Sequence, residues 1–242
     1  MPPLETFLYA FAGGLFPALI WLWFFLRQDK QCPEPKGLIL LSFISGMAVV
    51  FMALFVEKYV ANYFEEGTFL TVVWAATEEI LKWLVAALVV LWRRAVNEPI
   101  DPIVYMITVA LGFSALETGL FLLAPISDGN FAAGIITSNL RFLGAALLHV
   151  VCSAMIGVAL AFAFYRSYWQ KVLFLFIGLF TAITLHSWFN LSIIDKGGNA
   201  VLFVFFCVWI GVIVLLLLFE RVKRIHKKII KPLYSRNYHG TK

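Results

Sequence analysis

Trp74-Ala75-Ala76-Thr77-Glu78-Glu79-Ile80-Leu81-Lys82-Trp83 lies inside an apolar run from Phe69 to Trp92. A run of that length can cross a bilayer, whose hydrocarbon core takes about 20 residues of helix. Two adjacent carboxylates and an ammonium therefore fall near the middle of a membrane span. Each charge at that depth costs ~2.5–3.5 kcal/mol on insertion scales, so groups that face them are expected elsewhere in the chain. Glu78 and Lys82 are four apart and share a helix face, acid N-terminal to base. Glu79 points about 100° further round the helix. A self-neutralised Glu78–Lys82 pair that only sets helix packing would leave Glu79 without a role.

Outward from that stretch, the chain of 242 residues is 62% hydrophobic and 14% charged. Soluble domains run at about 45–50% apolar and about 25% charged. Lipid admits only helices or closed barrels, and runs of about 20 residues without period-two alternation exclude a barrel. The fold class is all-α, a polytopic transmembrane helix bundle. Apolar runs at 8–26, 37–56, 69–92, 103–123, 140–164, 172–193 and 200–219 predict about seven spans. No basic residue precedes the first run, so it lacks the positive n-region of a signal peptide and reads as an uncleaved helix. Residues 125–139, with Pro125, Gly129 and Asn130, read as a loop or a re-entrant segment. Residues 1–219 form one transmembrane domain with the catalytic core in about 69–193, and 220–242 form a basic tail. Cys152 and Cys207 lie in apolar runs and Cys32 in a loop, which implies no disulfide framework.

The basic residues set the orientation. The first, third and fifth loops and the tail hold three, two, two and eight; the N-terminus and the other loops hold none, one, none and one. That bias predicts an N-out, C-in, multi-pass protein of the cell membrane. The net charge of +5 comes from the tail, which suits anionic lipid headgroups rather than nucleic acid.

With that topology, Glu78, Glu117, His149 and His186 lie six to nine residues from the outer ends of four different helices. They share one level, roughly 9–14 Å below the outer boundary at ~1.5 Å per residue. Glu117 follows Phe113 by four and Asn190 follows His186 by four, so each pair shares a face. Arg141 stands two turns before His149. Gly112, Gly119, Gly144 and Gly157 permit close helix approach. A lone intramembrane His or Glu is more often a helix-packing hydrogen bond than a catalyst; several at one depth favour a site. Ser153 and Cys152, one turn from His149, read as ordinary helix residues.

Paired carboxylates in a dehydrated pocket can divide acid and base roles towards water. A His and an Asn on one face can donate to a developing oxyanion. Glu78, Glu79, Glu117, His149, His186 and Asn190 are thus the candidate catalytic residues, with Lys82 and Arg141 supporting. The set suits hydrolysis without a covalent intermediate. His149, His186 and Glu117 also match a catalytic zinc site with three protein ligands and an open position, a second Glu serving as base. The residues leave open a carboxylate-activated or a zinc-activated water. A proton-coupled transporter also keeps Glu, Lys and His at mid-depth, but no internal repeat accompanies them here. A membrane hydrolase of lipid amides or esters would use the same residues.

Glu78-Glu79-x-x-Lys82, Phe113-x-x-x-Glu117, the Arg141…His149…Gly157 segment and His186-x-x-x-Asn190 resemble, in order and spacing, the motifs of the PrsW family of intramembrane proteases. Asn97-Glu98-Pro99-Ile100-Asp101 resembles the same family's approach to its second motif. The resemblance covers about residues 69–191. The family is related to CAAX-prenyl-type proteases, whose second motif carries His where this chain has Glu117. This chain departs at Thr118, where Asn is frequent, and at Pro102 and Met106, where Gly is frequent. The resemblance implies a hydrolase, an endopeptidase cutting membrane-anchored proteins such as anti-sigma-factor-like regulators, with water activated by carboxylate or metal.

Overall fold

The computed structural model describes the backbone of residues 3–29, 32–196 and 201–239, and the side chains of 3–29, 32–193 and 201–225. Eight α-helices account for nearly all of the described residues, and none of these is in a strand. Helix α1 (Leu4–Leu26) ends in a 3₁₀ turn, Arg27–Asp29, and α2 (Lys36–Ala61) starts directly after Pro35. Helix α3 (Thr68–Ala86) closes with a π turn, Ala87–Leu91. Helix α4 (Asp101–Ser127) carries Pro102 in its first turn, where a missing N–H costs nothing. Helix α5 (Phe131–Leu140) runs through a π turn, Arg141–Ala145, into α6 (Ala146–Phe162). Helices α7 (Tyr168–Lys196) and α8 (Val201–His239) complete the bundle.

Six of these stretches are long and apolar enough to cross a membrane: Leu4–Asp29, Lys36–Ala61, Asp101–Ser127, Phe131–Phe162, Tyr168–Ile193 and Val201–Ile225. The helix outside that group, α3, is the one that carries Glu78, Glu79 and Lys82. Helix α4 and the α5–α6 rod are the centre of the bundle. They are 72% and 78% buried along their apolar stretches, against 39% or less in the other spans. A helix apolar all round belongs in such a position. The outer helices instead expose large apolar side chains such as Phe55, Phe180 and Leu202, the surface expected against lipid.

Close backbone contact fixes α2 against α4. A Cβ on Gly112 would fall 2.0 Å from the carbonyl oxygen of Phe43, and one on Gly46 would fall 2.1 Å from that of Val109. Small residues at such crossings let backbones meet.

Two boundaries differ from the sequence reading. Residues 125–139 are mostly helical, with only a short turn at 128–130. Helix α4 continues to Ser127, Gly129 turns the chain at φ 72°, and Asn130 accepts the N–H of Ala133 through Oδ1 to start α5. The side-chain cap is the physical reason a new helix begins there. The second apolar run ends at 56, but α2 continues to Ala61 and carries Glu57.

Candidate active site

Four helices meet at the Glu78–Glu79 pair. On α3 the i, i+3 and i+4 spacing turns both carboxylates and Lys82 to one arc. Glu79 is fully buried and fully engaged. Its Oε1 accepts from Lys82 Nζ at 2.8 Å and from His186 Nδ1 at 2.9 Å, and its Oε2 accepts from Ser153 Oγ at 2.7 Å. Glu78 is 7% exposed. Its Oε2 accepts from Lys82 Nζ at 3.1 Å and lies 3.7 Å from His149 Nδ1 and 3.9 Å from His186 Nε2.

The Lys82 ammonium has three donors and spends them on three acceptors: Glu78, Glu79 and, at 2.8 Å, His149 Nδ1. It also stands 4.2 Å from the Phe113 ring centroid, where the ring's negative face favours a cation. Because Nδ1 of His149 accepts from an ammonium, the network assigns its proton to Nε2. That Nε2–H donates to Glu117 Oε2 at 3.0 Å. Arg141 Nη2 donates to the same oxygen, and Arg141 Nε donates to Thr118 Oγ1 at 3.0 Å. The guanidinium lies 4.2 Å from the Phe121 ring centroid. In a regular helix, residues eight apart are about 80° out of line. The wider π turn at Arg141–Ala145 takes up that offset and lets Arg141 and His149 reach one carboxylate.

One connected network thus contains Glu78, Glu79, Lys82, Glu117, Arg141, His149 and His186. Asn190, one turn beyond His186, is half-buried and forms no hydrogen bond among the described residues. Ser153, which reads as an ordinary helix residue, is a direct partner of Glu79; its only sequence signal is its place one turn below His149. Thr118 holds Arg141, a contact no motif indicates. Glu57 on α2 is within electrostatic range of Glu78, Glu117, Lys82 and His186. Trp74, one turn before Glu78, has a buried indole N–H without a partner among the described residues.

Glu78, Glu79, His149 and His186 each offer a ligand atom within 4.8 Å of the others. Two imidazoles and two carboxylates suit zinc by donor type. His149 Nδ1, His186 Nε2 and Glu78 Oε2 are the three atoms facing one another, and Lys82 Nζ stands among them. An ion held there requires the ammonium to withdraw from His149 and Glu78. Glu117 is outside this donor group, on the far side of the His149 ring and paired with Arg141. Three glutamates against Lys82 and Arg141 leave one negative charge, which a single proton on the cluster balances.

The fold and this network define a polytopic helical membrane protein with a buried carboxylate–imidazole site between its helices. The sequence profile described as "PrsW family intramembrane metalloprotease" matches residues 34–218, and the chain belongs to the PrsW family. It is 32% identical over 161 residues to a protein of Geobacillus kaustophilus named "Protease PrsW", covering 63% of this chain and 64% of that one. A Bacillus subtilis protein of the same name is 30% identical over 154 residues, covering 62% and 65%. One from Halalkalibacterium halodurans is 24% identical over 184 residues, covering 74% and 80%. The chain therefore spans a little under two thirds of the length of the first two relatives. No solved structure matches.

Proposed function

We propose that this chain is an intramembrane endopeptidase that hydrolyses a peptide bond of a membrane-anchored protein. The observation that carries the reading is the unequal state of two adjacent carboxylates. Glu79 is closed off by three donors, whereas Glu78 keeps an exposed edge and a single short hydrogen bond, to Lys82. The family membership supports the reaction class.

Glu78 is the general base that takes a proton from the attacking water, since it alone of the pair has access to one. Glu79 is a positioning residue: it fixes Lys82 and His186 through their hydrogen bonds. Lys82 stands between both carboxylates as their counter-charge and orders the His149 tautomer. His149, oriented by Glu117 and Arg141, completes the wall of the site. With Nδ1 donating to Glu79, His186 presents the Nε2 lone pair towards Glu78, where it can take up the proton that Glu78 receives from water and pass it to the leaving amine. Asn190 and the indole N–H of Trp74, on the same faces as His186 and Glu78, are further donors for the substrate backbone. Glu78, His149 and His186, with Glu79 beside them, would hold a divalent ion. When bound, it would polarise the scissile carbonyl and lower the pKa of the attacking water.

The orientation is N-out and C-in, from the basic-residue bias. The site then opens towards the outer half of the membrane, and the tail lies on anionic lipid at the cytoplasmic surface. The expected substrates are single-span proteins of the anti-sigma-factor class. The test is a membrane-anchored peptide reporter and a lipid amide, each incubated with purified protein before and after chelation, with Glu78→Gln as control. Cleavage of the peptide, lost in Glu78→Gln, supports the reading. Turnover of the lipid alone would replace it. Full activity in metal-free protein would assign the water activation to Glu78 without an ion.

A further inference from the structure

A second cluster of carboxylates lies far from the Glu78–Glu79 site. Asp29 ends the turn after α1, Glu34 lies in the loop before α2, and Asp101 opens α4. Each offers an oxygen within 4.8 Å of the others. Asp101 and Glu117 are sixteen residues apart on α4, which separates the two clusters by about 24 Å at ~1.5 Å per residue.

The partners of these oxygens do not account for their burial. Asp101 Oδ2 accepts the backbone N–H groups of Asn97 and Glu98, both at 2.8 Å. Glu34 Oε2 accepts the Tyr105 hydroxyl, and Glu34 and Asp101 share a side-chain hydrogen bond. Asp29 is only 7% exposed, yet its Oδ2 has no hydrogen-bond partner among the described residues. Among the described residues no Lys or Arg forms an ion pair with Asp29, Glu34 or Asp101. Lys223 on α8 is within electrostatic range of Asp29 but pairs with Glu220 at 2.8 Å. A buried carboxylate oxygen without a partner is costly and points to a missing ligand. A cavity of about 350 Å³, lined in part by Cys32, Glu34, Glu98 and Asp101, opens beside two of the three carboxylates.

We propose that Asp29, Glu34 and Asp101 bind one hard divalent cation of the Mg²⁺, Ca²⁺ or Mn²⁺ class, which ties together the ends of α1, α2 and α4. An all-oxygen donor set of carboxylates selects such ions over zinc. The unpaired Asp29 oxygen is the ligand atom that needs the ion, and Tyr105 orients Glu34 towards it. The cavity leaves room for the waters these ions retain.

The experiment uses the full chain in detergent micelles with Mn²⁺ as the probe, free Mn²⁺ being read by electron paramagnetic resonance. The expected result is a saturable Mn²⁺ site, competed by Mg²⁺ or Ca²⁺, that is retained in His186→Ala and so is separate from any ion at the Glu78 site. In the His186→Ala background it is weakened at least tenfold by Asp29→Asn and by Asp101→Asn. Ca²⁺ should also raise the melting temperature of the wild type but not of Asp29→Asn. If the Asn variants do not fold, Glu34→Gln, which keeps an acceptor for Tyr105, should show the same loss. No saturable binding would overturn the proposal. So would binding that survives the Asp29, Glu34 and Asp101 substitutions in that background, or that disappears in His186→Ala.

Discussion

Glu78 and Glu79 are neighbours in sequence with different surroundings, and their variants should separate. Glu78→Gln should lower reporter cleavage by at least ~10²-fold, the scale of a lost general base, with little change in melting temperature. Glu79→Gln should lower activity and also destabilise the fold. It weakens hydrogen bonds from Lys82, His186 and Ser153 in a fully buried place, where breaking a polar network costs roughly 1–3 kcal/mol or more. Equal melting temperatures for the two variants would contradict the assignment. Lys82→Met should be the most disruptive single change in the site. It leaves two carboxylates buried without their cation, a loss on the order of 3–5 kcal/mol for a broken buried pair. Yield and thermal unfolding in detergent would measure it. Lys82→Arg should not rescue activity, because a planar guanidinium cannot aim donors at Glu78, Glu79 and His149 from one atom.

At the scale of elements, the backbone contact between α2 and α4 holds the floor of the site. Gly112 is one residue before Phe113, whose ring faces both Lys82 and His149. Gly112→Val should separate the helices, because its Cβ would meet the Phe43 carbonyl oxygen rather than a side chain that can turn away. Overpacking of this kind costs roughly 1–3 kcal/mol; a melting temperature within a degree of wild type would show that the helices give way freely. The loop before α2 carries a pH dependence. Burial pushes the Glu34 carboxyl up from 4.5 to about 8; the Tyr105 hydrogen bond lowers it, and Asp101 and Asp29 raise it. The folded chain then holds a proton that the unfolded chain releases at its ordinary value. The stabilisation is complete below about 4.5 and is lost as the pH rises through about 8. With chelator present, the melting temperature should fall between pH 6 and 9, and Glu34→Gln should flatten that fall.

For the whole molecule the expected topology is testable without the site. A reporter joined after Lys242 should be active in the cytoplasm, because eight basic residues of the tail outweigh those of any other segment. Activity only on the outer side would reverse the bundle and place the Glu78 level in the inner half. The central position of α4 and the α5–α6 rod means that both helices carry site residues, Glu117 and His149, while packed on nearly every face. The outer helices α3 and α7 bring the other partners to them. Rigid central helices with the carboxylate–imidazole network at their contacts keep its geometry within narrow limits.

The sequence by itself determined the class and the cast of residues. Apolar runs of spanning length admit only a helical bundle, and charged groups inside them are too costly to be incidental, so Glu78, Glu79 and Lys82 stood out as charges within a span, and Glu117, His149 and His186 by sharing the level of Glu78. Composition and period carry no information on azimuth or on partners, and those came from the tertiary structure. Ser153 is indistinguishable from any helix serine until α6 is rotated against α3. The pairing of Glu117 with Arg141 depends on a π turn whose residues, Arg141 to Ala145, have no distinctive propensity. The difference between Glu78 and Glu79 is one of exposure, set by which side of α3 meets α6 and α7. Asp29, Glu34 and Asp101 are scattered over seventy residues in three separate segments. Only the packing of α1 and α2 on α4 places their oxygens within reach of a single ion.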